Sequence, residues 1–216
     1  MTDKSIALET RTQAKDRLFS PSAARNREPL LQVLRQLLPV SGRALEIGSG
    51  TGEHITFFAR HLPDWRWVPS DPDDDSRRSI AAWIAAEHLA NVVPPLTIDA
   101  SAGLWGVEDQ APFDALLSLN MIHIAPWSAA QGLFAGAGRL LRPGGLLFLY
   151  GPFQEGGVHN APSNVEFDLS LKSRNPDWGV RDIDDLQGLA RSNSLQLGHR
   201  FAMPANNQAL VFDKLR

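Results

Sequence analysis

Hydrophobic positions along the chain follow two different periods. Short apolar runs, typical of buried strands, alternate with longer stretches in which apolar residues recur at helical spacing. This alternation predicts an α/β domain. The predicted strands cover 43–47, 65–70, 92–98, 113–119, 146–150, 195–202 and 208–213, and the first predicted helix carries its apolar face on Leu30, Leu31, Leu34, Leu37 and Leu38.

Three of these runs also indicate a position in the sheet. The run 113–119 is continuously apolar, which favours a strand that is buried on both faces. Pro94 and Pro95 would each remove a ladder donor from the third predicted strand, which favours a place at the sheet edge. The last two predicted strands are joined by a short turn and therefore predict a terminal hairpin.

A glycine-rich turn follows the first predicted strand. Gly48, Gly50 and Gly52 stand at alternate positions, two residues after Glu46 and just before an amphipathic helix. Glycine can adopt positive φ and lets a ligand approach the backbone, and the helix start offers unpaired N–H groups. A dinucleotide fingerprint would place its third glycine where Glu53 stands. The turn therefore predicts a cradle for a nucleotide or nucleoside.

The pattern from Glu46 to Gly52 resembles the first motif of class I S-adenosyl-L-methionine (SAM)-dependent methyltransferases, where the turn passes the amino-acid part of SAM. More widely, residues 22–214 resemble the methyltransferase-like 26 family. The stretches that carry this likeness are Ala24-Arg25-Asn26, Leu45-Glu46, Ser49-Gly50-Thr51-Gly52, Pro69-Ser70-Asp71, Asn120-Met121, Tyr150-Gly151-Pro152, Ser163-Asn164-Val165, Phe167-Asp168, Arg174-Asn175-Pro176, Trp178-Gly179, Arg181-Asp182 and Met203-Pro204-Ala205-Asn206-Asn207.

The resemblance implies a Rossmann-like class I methyltransferase fold. Such a fold would have a seven-stranded, mostly parallel sheet, helices on both faces and an antiparallel C-terminal strand. The implied cofactor is SAM and the implied reaction is methyl transfer, while the family has no assigned substrate. We expect a flexible arm over 1–21 and one domain over 22–216, with a polar lid insertion at about 151–181.

Acidic residues at successive strand ends are candidates for holding the cofactor. Asp71 follows the second strand, where a carboxylate can accept hydrogen bonds from both ribose hydroxyls, although it could instead cap the next helix. Asp99 resembles the family residue that accepts from the adenine amino group, and a local turn cap is the alternative. The predicted cofactor residues are Arg25, Asn26, Glu46, Gly48, Ser49, Gly50, Thr51, Gly52, His54, Asp71, Pro72, Asp99, Ala100, Asn120 and Met121.

Groups for the acceptor side are harder to assign from the sequence. His123, Tyr150 and Asp168 are the candidates for catalysis, and for His123 a buried core histidine is a strong alternative. The lid candidates for holding a substrate are His159, Asn164, Arg174 and Trp178.

Composition narrows the class of acceptor. The net charge of −3 argues against a dedicated nucleic-acid surface, and the N/D-P-P-Y/F stretch of nucleic-acid amino-methylation is absent after the fourth strand. With no cysteine there is no Cys nucleophile or zinc–thiolate site, and no metal is predicted. No apolar run is long enough to span a bilayer, so we expect a cytoplasmic protein. Because the sequence shows no sign of a nucleic-acid surface, the expected acceptor is a small molecule.

Two other functions remain open at this stage. A non-catalytic SAM-binding or regulatory protein would keep the glycine turn and Asp71 but lack an acceptor pocket. An NAD(P)-linked oxidoreductase is disfavoured by Glu53 at the fingerprint position. The sequence does not indicate the oligomeric state.

Overall fold

The structure is a computed structural model that describes residues 11–216. Its helices are α1 (Pro21–Leu37), α2 (Glu53–His61), α3 (Asp74–Glu87), α4 (Trp127–Leu140), α5 (Pro162–Arg174) and α6 (Ile183–Ser192). Its strands are β1 (Thr12–Ala14), β2 (Arg17–Phe19), β3 (Gly42–Ile47), β4 (Trp65–Ser70), β5 (Phe113–Leu119), β6 (Leu141–Gly151), β7 (Phe153–Glu155), β8 (Val158–His159), β9 (Arg181–Asp182), β10 (Leu195–Met203) and β11 (Asn207–Lys214).

A mixed central sheet organises these elements in the order β10–β11–β6–β5–β3–β4. Strands β6, β5, β3 and β4 are mutually parallel, while β11 pairs antiparallel with β6 and β10 antiparallel with β11. The antiparallel C-terminal hairpin is therefore present as predicted. Because parallel strands end at one edge, the residues that follow β3, β4, β5 and β6 are brought together there.

The predicted sheet of seven strands is wrong by one strand. Residues 92–98 pair with the β4 edge through two isolated bridges, Trp67 to Val92 and Ser70 to Leu96, and not through a continuous ladder. Pro94 and Pro95 lie between these bridges and have no backbone N–H to donate. The segment thus occupies the edge position that its prolines predicted, but it does not form a regular strand.

Apolar side chains bury both faces of the sheet. On one face Leu30, Leu34 and Phe58 of α1 and α2 pack against the strands, and on the other face Leu133 and Phe134 of α4 do so together with α6. Both layers are close to fully buried. This two-sided burial explains why β5 is apolar at nearly every position.

The predicted flexible arm is ordered where the structure describes it. Residues 12–19 form the antiparallel hairpin β1–β2, whereas residues 1–10 of the predicted arm lie outside the described part of the chain. The hairpin is fixed to α3 because the Leu18 amide donates to Ser79 Oγ at 2.8 Å and Trp83 Nε1 donates to the Leu18 carbonyl at 3.0 Å. The Phe19 ring packs edge-on against Trp83.

The predicted lid insertion at 151–181 is more regular than its composition indicated. It contains a small sheet of order β8–β7–β9 and the thirteen-residue helix α5. Pro162 takes the first position of α5, where its missing N–H has no intrahelical partner to lose. Much of the lid therefore folds as a small subdomain beside the sheet.

Close packing of α4 gives a stability prediction. A Cβ at Gly132 would overlap the carbonyl oxygen of Ala100, whereas a Cβ at Gly188 in α6 would meet no atom within 4 Å. We expect Gly132→Ala to lower the free energy of unfolding by about 2–3 kcal/mol. The control Gly188→Ala should raise it by about 0.5–1 kcal/mol, because alanine has the better helix propensity. Equal urea midpoints for the two variants would contradict the close contact.

Candidate functional site

A cavity of about 860 Å³ opens at the carboxyl ends of β3, β4 and β5. Its walls are the glycine turn after β3, the acidic stretch after β4, residues 98–100, the residues after β5, and parts of the segment 11–23. This edge of a parallel sheet is where ligands bind in open α/β folds, and the volume is sufficient for a nucleoside-sized molecule.

The glycine turn forms the floor of the cavity. All three of its glycines have positive φ, between 57° and 88°. Hydrogen bonds from the Gly48 and Ser49 amides to the Ser70 carbonyl, at 3.0 and 2.8 Å, fix the turn against the end of β4. A Cβ at Gly52 would lie 2.9 Å from the Ile80 backbone, so glycine is required there on both steric and conformational grounds.

Asp71 presents a buried and oriented carboxylate to the cavity. One of its oxygens accepts from the Gly50 amide at 2.9 Å and the other from the Asp73 amide at 3.0 Å. Burial raises the pKa of Asp71, while these two amides act in the opposite direction. The N-cap of α3 is Asp73, which accepts from the Ser76 amide at 2.8 Å. Asp71 is therefore not the helix cap, and each of its oxygens keeps acceptor capacity for a ligand.

Glu46 brings a second carboxyl group to the cavity wall. Its side chain is 1% exposed, and Oε2 has no hydrogen-bond partner among residues 11–216. Burial raises the pKa of Glu46 to about 7. Near neutral pH this group can therefore be either a neutral acid or a carboxylate, depending on what lies against it.

His54, at the start of α2, also lines the cavity. Its Nε2 has no hydrogen-bond partner in the described part of the chain. Burial lowers the pKa of His54 to about 4, and the nearby positive charge of Arg27 acts in the same direction. The imidazole is consequently neutral at physiological pH and offers a ligand a neutral donor or acceptor.

Two further predicted positions complete the wall. Asp99 accepts from the Ser101 amide at 2.9 Å and from its hydroxyl at 2.7 Å, which is the local turn that the sequence left open as an alternative. It also lines the cavity. Asn120, which has a φ of 63°, donates its amide to the Tyr150 carbonyl at 2.8 Å and so joins the ends of β5 and β6.

Twelve of the predicted cofactor residues line one cavity, whereas Arg25, Asn26 and Gly52 are not in its wall. Gly52 lies close to Ile80 of α3, and Arg25 donates to Oγ of the wall residue Ser22 at 3.2 Å. The twelve that line it are Glu46, Gly48, Ser49, Gly50, Thr51, His54, Asp71, Pro72, Asp99, Ala100, Asn120 and Met121.

His123 does not reach this cavity. It is fully buried, its ring packs edge-on against Phe153, and neither ring nitrogen has a partner within residues 11–216. Burial lowers the pKa of His123 to about 3, and Arg181 contributes in the same direction. The core-histidine alternative therefore describes its surroundings better than the catalytic prediction does.

The lid candidates form a network of their own instead of lining the cavity. Burial raises the pKa of Asp168, but the Lys172 ammonium at 2.6 Å and the Val180 amide at 2.8 Å bring the net pKa below its usual value. His159 Nε2 lies 3.5 Å from the same carboxylate. No residue of 151–181 lines the cavity, so the structure separates Asp168 and His159 from the predicted cofactor residues.

The other lid candidates are also engaged elsewhere. Asn164 donates to the Asn206 carbonyl at 3.0 Å and so ties α5 to the turn between β10 and β11. The Arg174 guanidinium lies over the Trp178 ring, 5.7 Å from its centroid. These contacts hold the lid subdomain together and to the hairpin.

Sequence reasoning missed the contribution of the N-terminal segment. Arg11, Leu18, Ser20, Ser22 and Ala23 all line the cavity. The Ser20 amide donates to Glu53 Oε2 at 2.6 Å, and this contact anchors the segment to the start of α2. The available signal was Ser20 before Pro21, an N-cap followed by a first-turn proline, which fixes where α1 begins.

A family model matches residues 17–214 of this chain. The chain belongs to the family described as Protein of unknown function (DUF938). The match covers the sheet, every wall of the cavity except Arg11, and the lid subdomain. The family description states no activity.

Solved structures with the same architecture include several methyltransferases. An O-methyltransferase family protein from Burkholderia thailandensis has a TM-score of 0.74 at 16% identity, with 87% of this chain and 56% of that chain aligned. CalO1, a methyltransferase in calicheamicin biosynthesis in its SAH-bound form, has a TM-score of 0.67 at 16% identity over 88% and 53% of the two chains. The chain thus has an α/β methyltransferase fold and spans about half the length of these proteins.

Similarity to a curated protein extends over part of the chain. The tRNA (guanine-N(7)-)-methyltransferase of Rhodopseudomonas palustris is 35% identical over 89 residues, which is 41% of this chain and 32% of that protein. Among residues 11–216, no helix has the length and apolar character needed to cross a membrane.

The raised pKa of Glu46 gives a testable pH dependence. Because burial raises the pKa of Glu46 to about 7, the folded state holds this proton up to about that pH, whereas the unfolded carboxyl ionises near its ordinary pKa of 4.5. The free energy of unfolding therefore falls as the pH rises between these two values, and the total loss is about 3 kcal/mol. Glu46→Gln should remove this cost, so its advantage over the wild type in urea unfolding should be small at pH 5 and near maximal at pH 8.

The exposed carboxyl of Glu166 on α5 provides the matched control. Glu166→Gln should leave the difference from the wild type unchanged between the two pH values. A Glu46→Gln effect that is independent of pH would mean that Glu46 is already ionised in the folded protein at pH 5.

Proposed function

We propose that this protein is a SAM-dependent methyltransferase that acts on a small-molecule acceptor. The observation that carries the proposal is the buried Asp71 carboxylate, oriented by the Gly50 and Asp73 amides beside a glycine turn of positive φ. A carboxylate held in this way suits two adjacent ribose hydroxyls, which are paired donors. The fold shared with methyltransferases supports the same function without establishing it.

The charges of the cavity fit the cofactor. SAM carries a sulfonium and an ammonium, and Glu46 Oε2 is an acceptor that no donor within residues 11–216 reaches. A cation at Glu46 would lower the pKa of that group again and favour the carboxylate. Asp99 lies further along the same wall, where it can accept from the adenine amino group. The residues thus fit a nucleoside that bears a cationic amino-acid tail.

The chain's own residues would position the reactants. SAM would supply the activated methyl group, and Asn120 with Met121, after β5, would lie between the cofactor and the acceptor. The glycine turn would hold the amino-acid tail and Asp71 would hold the ribose, and both contacts would help to position the cofactor. His123 and Asp168 lie outside the cavity wall and are not used in this mechanism.

A dinucleotide cofactor fits less well. The start of α2, where a pyrophosphate would lie, carries the buried carboxyl of Glu53, which accepts from the Ser20 amide and from Thr51 Oγ1. A negative charge at this point would repel a pyrophosphate. The likeness to the methyltransferase-like 26 family supports SAM as the cofactor, and membership of that family is part of the proposal.

The proposal is tested first by cofactor binding. Asp71→Asn removes the charge but keeps one carbonyl acceptor, and the lost charge-assisted ribose bonds should weaken binding of the demethylated product, SAH, about ten- to hundredfold by calorimetry. The control Asp185→Asn changes an exposed acid in the first turn of α6 and should leave the affinity unchanged. Wild-type protein that binds NAD but not SAH would overturn the proposal.

Catalysis is tested separately from binding. Incubation with methyl-labelled SAM and a fractionated small-molecule extract should label one fraction with the wild type, and much less with Asp71→Asn. If SAH binds but neither this extract nor bulk tRNA accepts the label, the non-catalytic SAM-binding alternative is favoured. Labelling of tRNA alone would show that the acceptor is RNA and would overturn the small-molecule part of the proposal.

A further inference from the structure

Arg11 extends its side chain into the wall of the cavity. Its Nη2 atom lies 3.6 Å from the position that a Cβ on Gly50 would take, so the guanidinium lies over the glycine turn. The Gly50 amide in turn donates to Asp71 at 2.9 Å, and the positive charge of Arg11 acts against the raised pKa of that carboxyl. A cationic side chain therefore reaches the part of the cavity where the turn and the acid meet.

The hairpin β1–β2 fixes the place from which Arg11 enters the cavity, because Arg11 directly precedes β1. One hydroxyl links this hairpin to the glycine turn. Ser79 Oγ accepts from the Leu18 amide at 2.8 Å and donates to the Thr51 carbonyl at 2.7 Å. The hairpin that carries Arg11 is thus attached to the same turn that the guanidinium overlies.

The guanidinium of Arg11 keeps its donors for a ligand. Within residues 11–216 no hydrogen bond or ion pair involves it. A second arginine of the cavity wall, Arg78, differs in this respect, because it pairs with Asp75 one turn earlier in α3. A guanidinium cannot lose its charge by deprotonation, so Arg11 presents a permanent cation to the cavity.

The first turn of α1 adds positive potential to the same side. Ser20, Ser22 and Ala23 line the cavity, and the first turn of this seventeen-residue helix contains no acidic residue. The N-terminus of a helix carries a partial positive charge, which favours an anionic group nearby. The segment 11–23 thus forms a cationic wall, whereas the ends of β3 and β4 contribute the carboxyl groups of Glu46 and Asp71. A cavity with walls of both signs fits a ligand that carries both charges.

We propose that Arg11 binds the carboxylate of the amino-acid tail of SAM and makes the cavity selective for a nucleoside with a zwitterionic tail. The inference rests on the proposed function, because it takes SAM as the ligand. The planar guanidinium offers two parallel N–H donors, which match the two oxygens of a carboxylate. Glu46 accepts from the ammonium of the same tail, and Asp71 holds the ribose on the other side of the glycine turn.

The test compares two ligands by calorimetry, SAH and its decarboxylated analogue, which keeps the adenine, the ribose, the thioether and the amino group. The wild type should bind SAH about tenfold more tightly than the analogue, because a charge-assisted hydrogen bond is lost with the carboxylate. Arg11→Gln should weaken SAH binding about tenfold and leave the affinity for the analogue within twofold of the wild type. Arg11→Lys should keep part of the preference, since an ammonium retains the charge but not the parallel donors.

Two variants control for effects other than contact. Lys15→Gln removes an exposed charge from the turn of the same hairpin, outside the cavity wall. Arg78→Gln removes a positive charge from another part of that wall. Both should retain the preference for SAH. An equal loss of the preference in Arg78→Gln and Arg11→Gln would show a general effect of charge and overturn the assigned contact.

The remaining outcomes separate the inference from the proposed function. Unchanged SAH affinity in Arg11→Gln would overturn the inference and leave the methyltransferase standing. Equal weakening of both ligands would assign Arg11 to the ribose or to the support of Asp71, and a lowered urea midpoint with it would assign Arg11 to the docking of the hairpin. Both results overturn the role at the carboxylate. A wild type that binds neither ligand would reject the proposed function and this inference together.

Discussion

The attachment of the glycine turn to the end of β4 is the constraint on which the site depends. Two amides of the turn, from Gly48 and Ser49, share the Ser70 carbonyl, and the next amide, from Gly50, donates to the Asp71 carboxylate. These bonds require positive φ at alternate positions, which glycine adopts without strain. The same contacts that close the turn also orient Asp71. The cradle and the acid next to it are therefore one structural unit.

Burial then sets the charges around that unit. Glu46, His54 and Asp71 all lie where water is largely excluded, so the pKa values of the acids rise and that of the histidine falls. Each shift moves its group towards the neutral form and lowers the cost of leaving it without a partner. A cationic ligand would reverse the shift for the two carboxyls and leave the imidazole neutral. The two carboxyls therefore favour a positively charged group over an anionic one at the β3 end of the cavity.

The sequence predicted local features well because their causes are local. The β3–turn–α2 unit follows from the spacing of three glycines, and the edge position of 92–98 follows from two adjacent prolines. The failure of that segment to form a strand could not be predicted from its apolar character, since it depends on how many ladder bonds remain beside Pro94 and Pro95. The same is true of His123, where only the packing around the ring distinguishes a core residue from a site residue.

Long-range docking explains the remaining errors. The hairpin β1–β2 is held by contacts of Leu18 with Ser79 and Trp83, more than sixty residues away, and no local pattern in a polar segment indicates them. The segment 151–181 follows β6, whose carboxyl end lies at the same sheet edge as the cavity, and this position favours a lid over the cavity. Instead, Arg181 donates to the carbonyls of Ile122 and Ala125, at 2.9 and 2.6 Å, and the Gly179 amide donates to the His123 carbonyl.

These lid contacts change the role of the segment 151–181. Ala125 and its neighbours Ile124 and Pro126 line the cavity, so the lid subdomain supports the wall from behind without entering it. The Arg181 guanidinium also lies over the Trp127 ring at the start of α4, which joins three elements at one point. A second wall of the cavity comes from the segment 11–23, which hydrogen bonds to Glu53 and Ser79 hold beside the glycine turn.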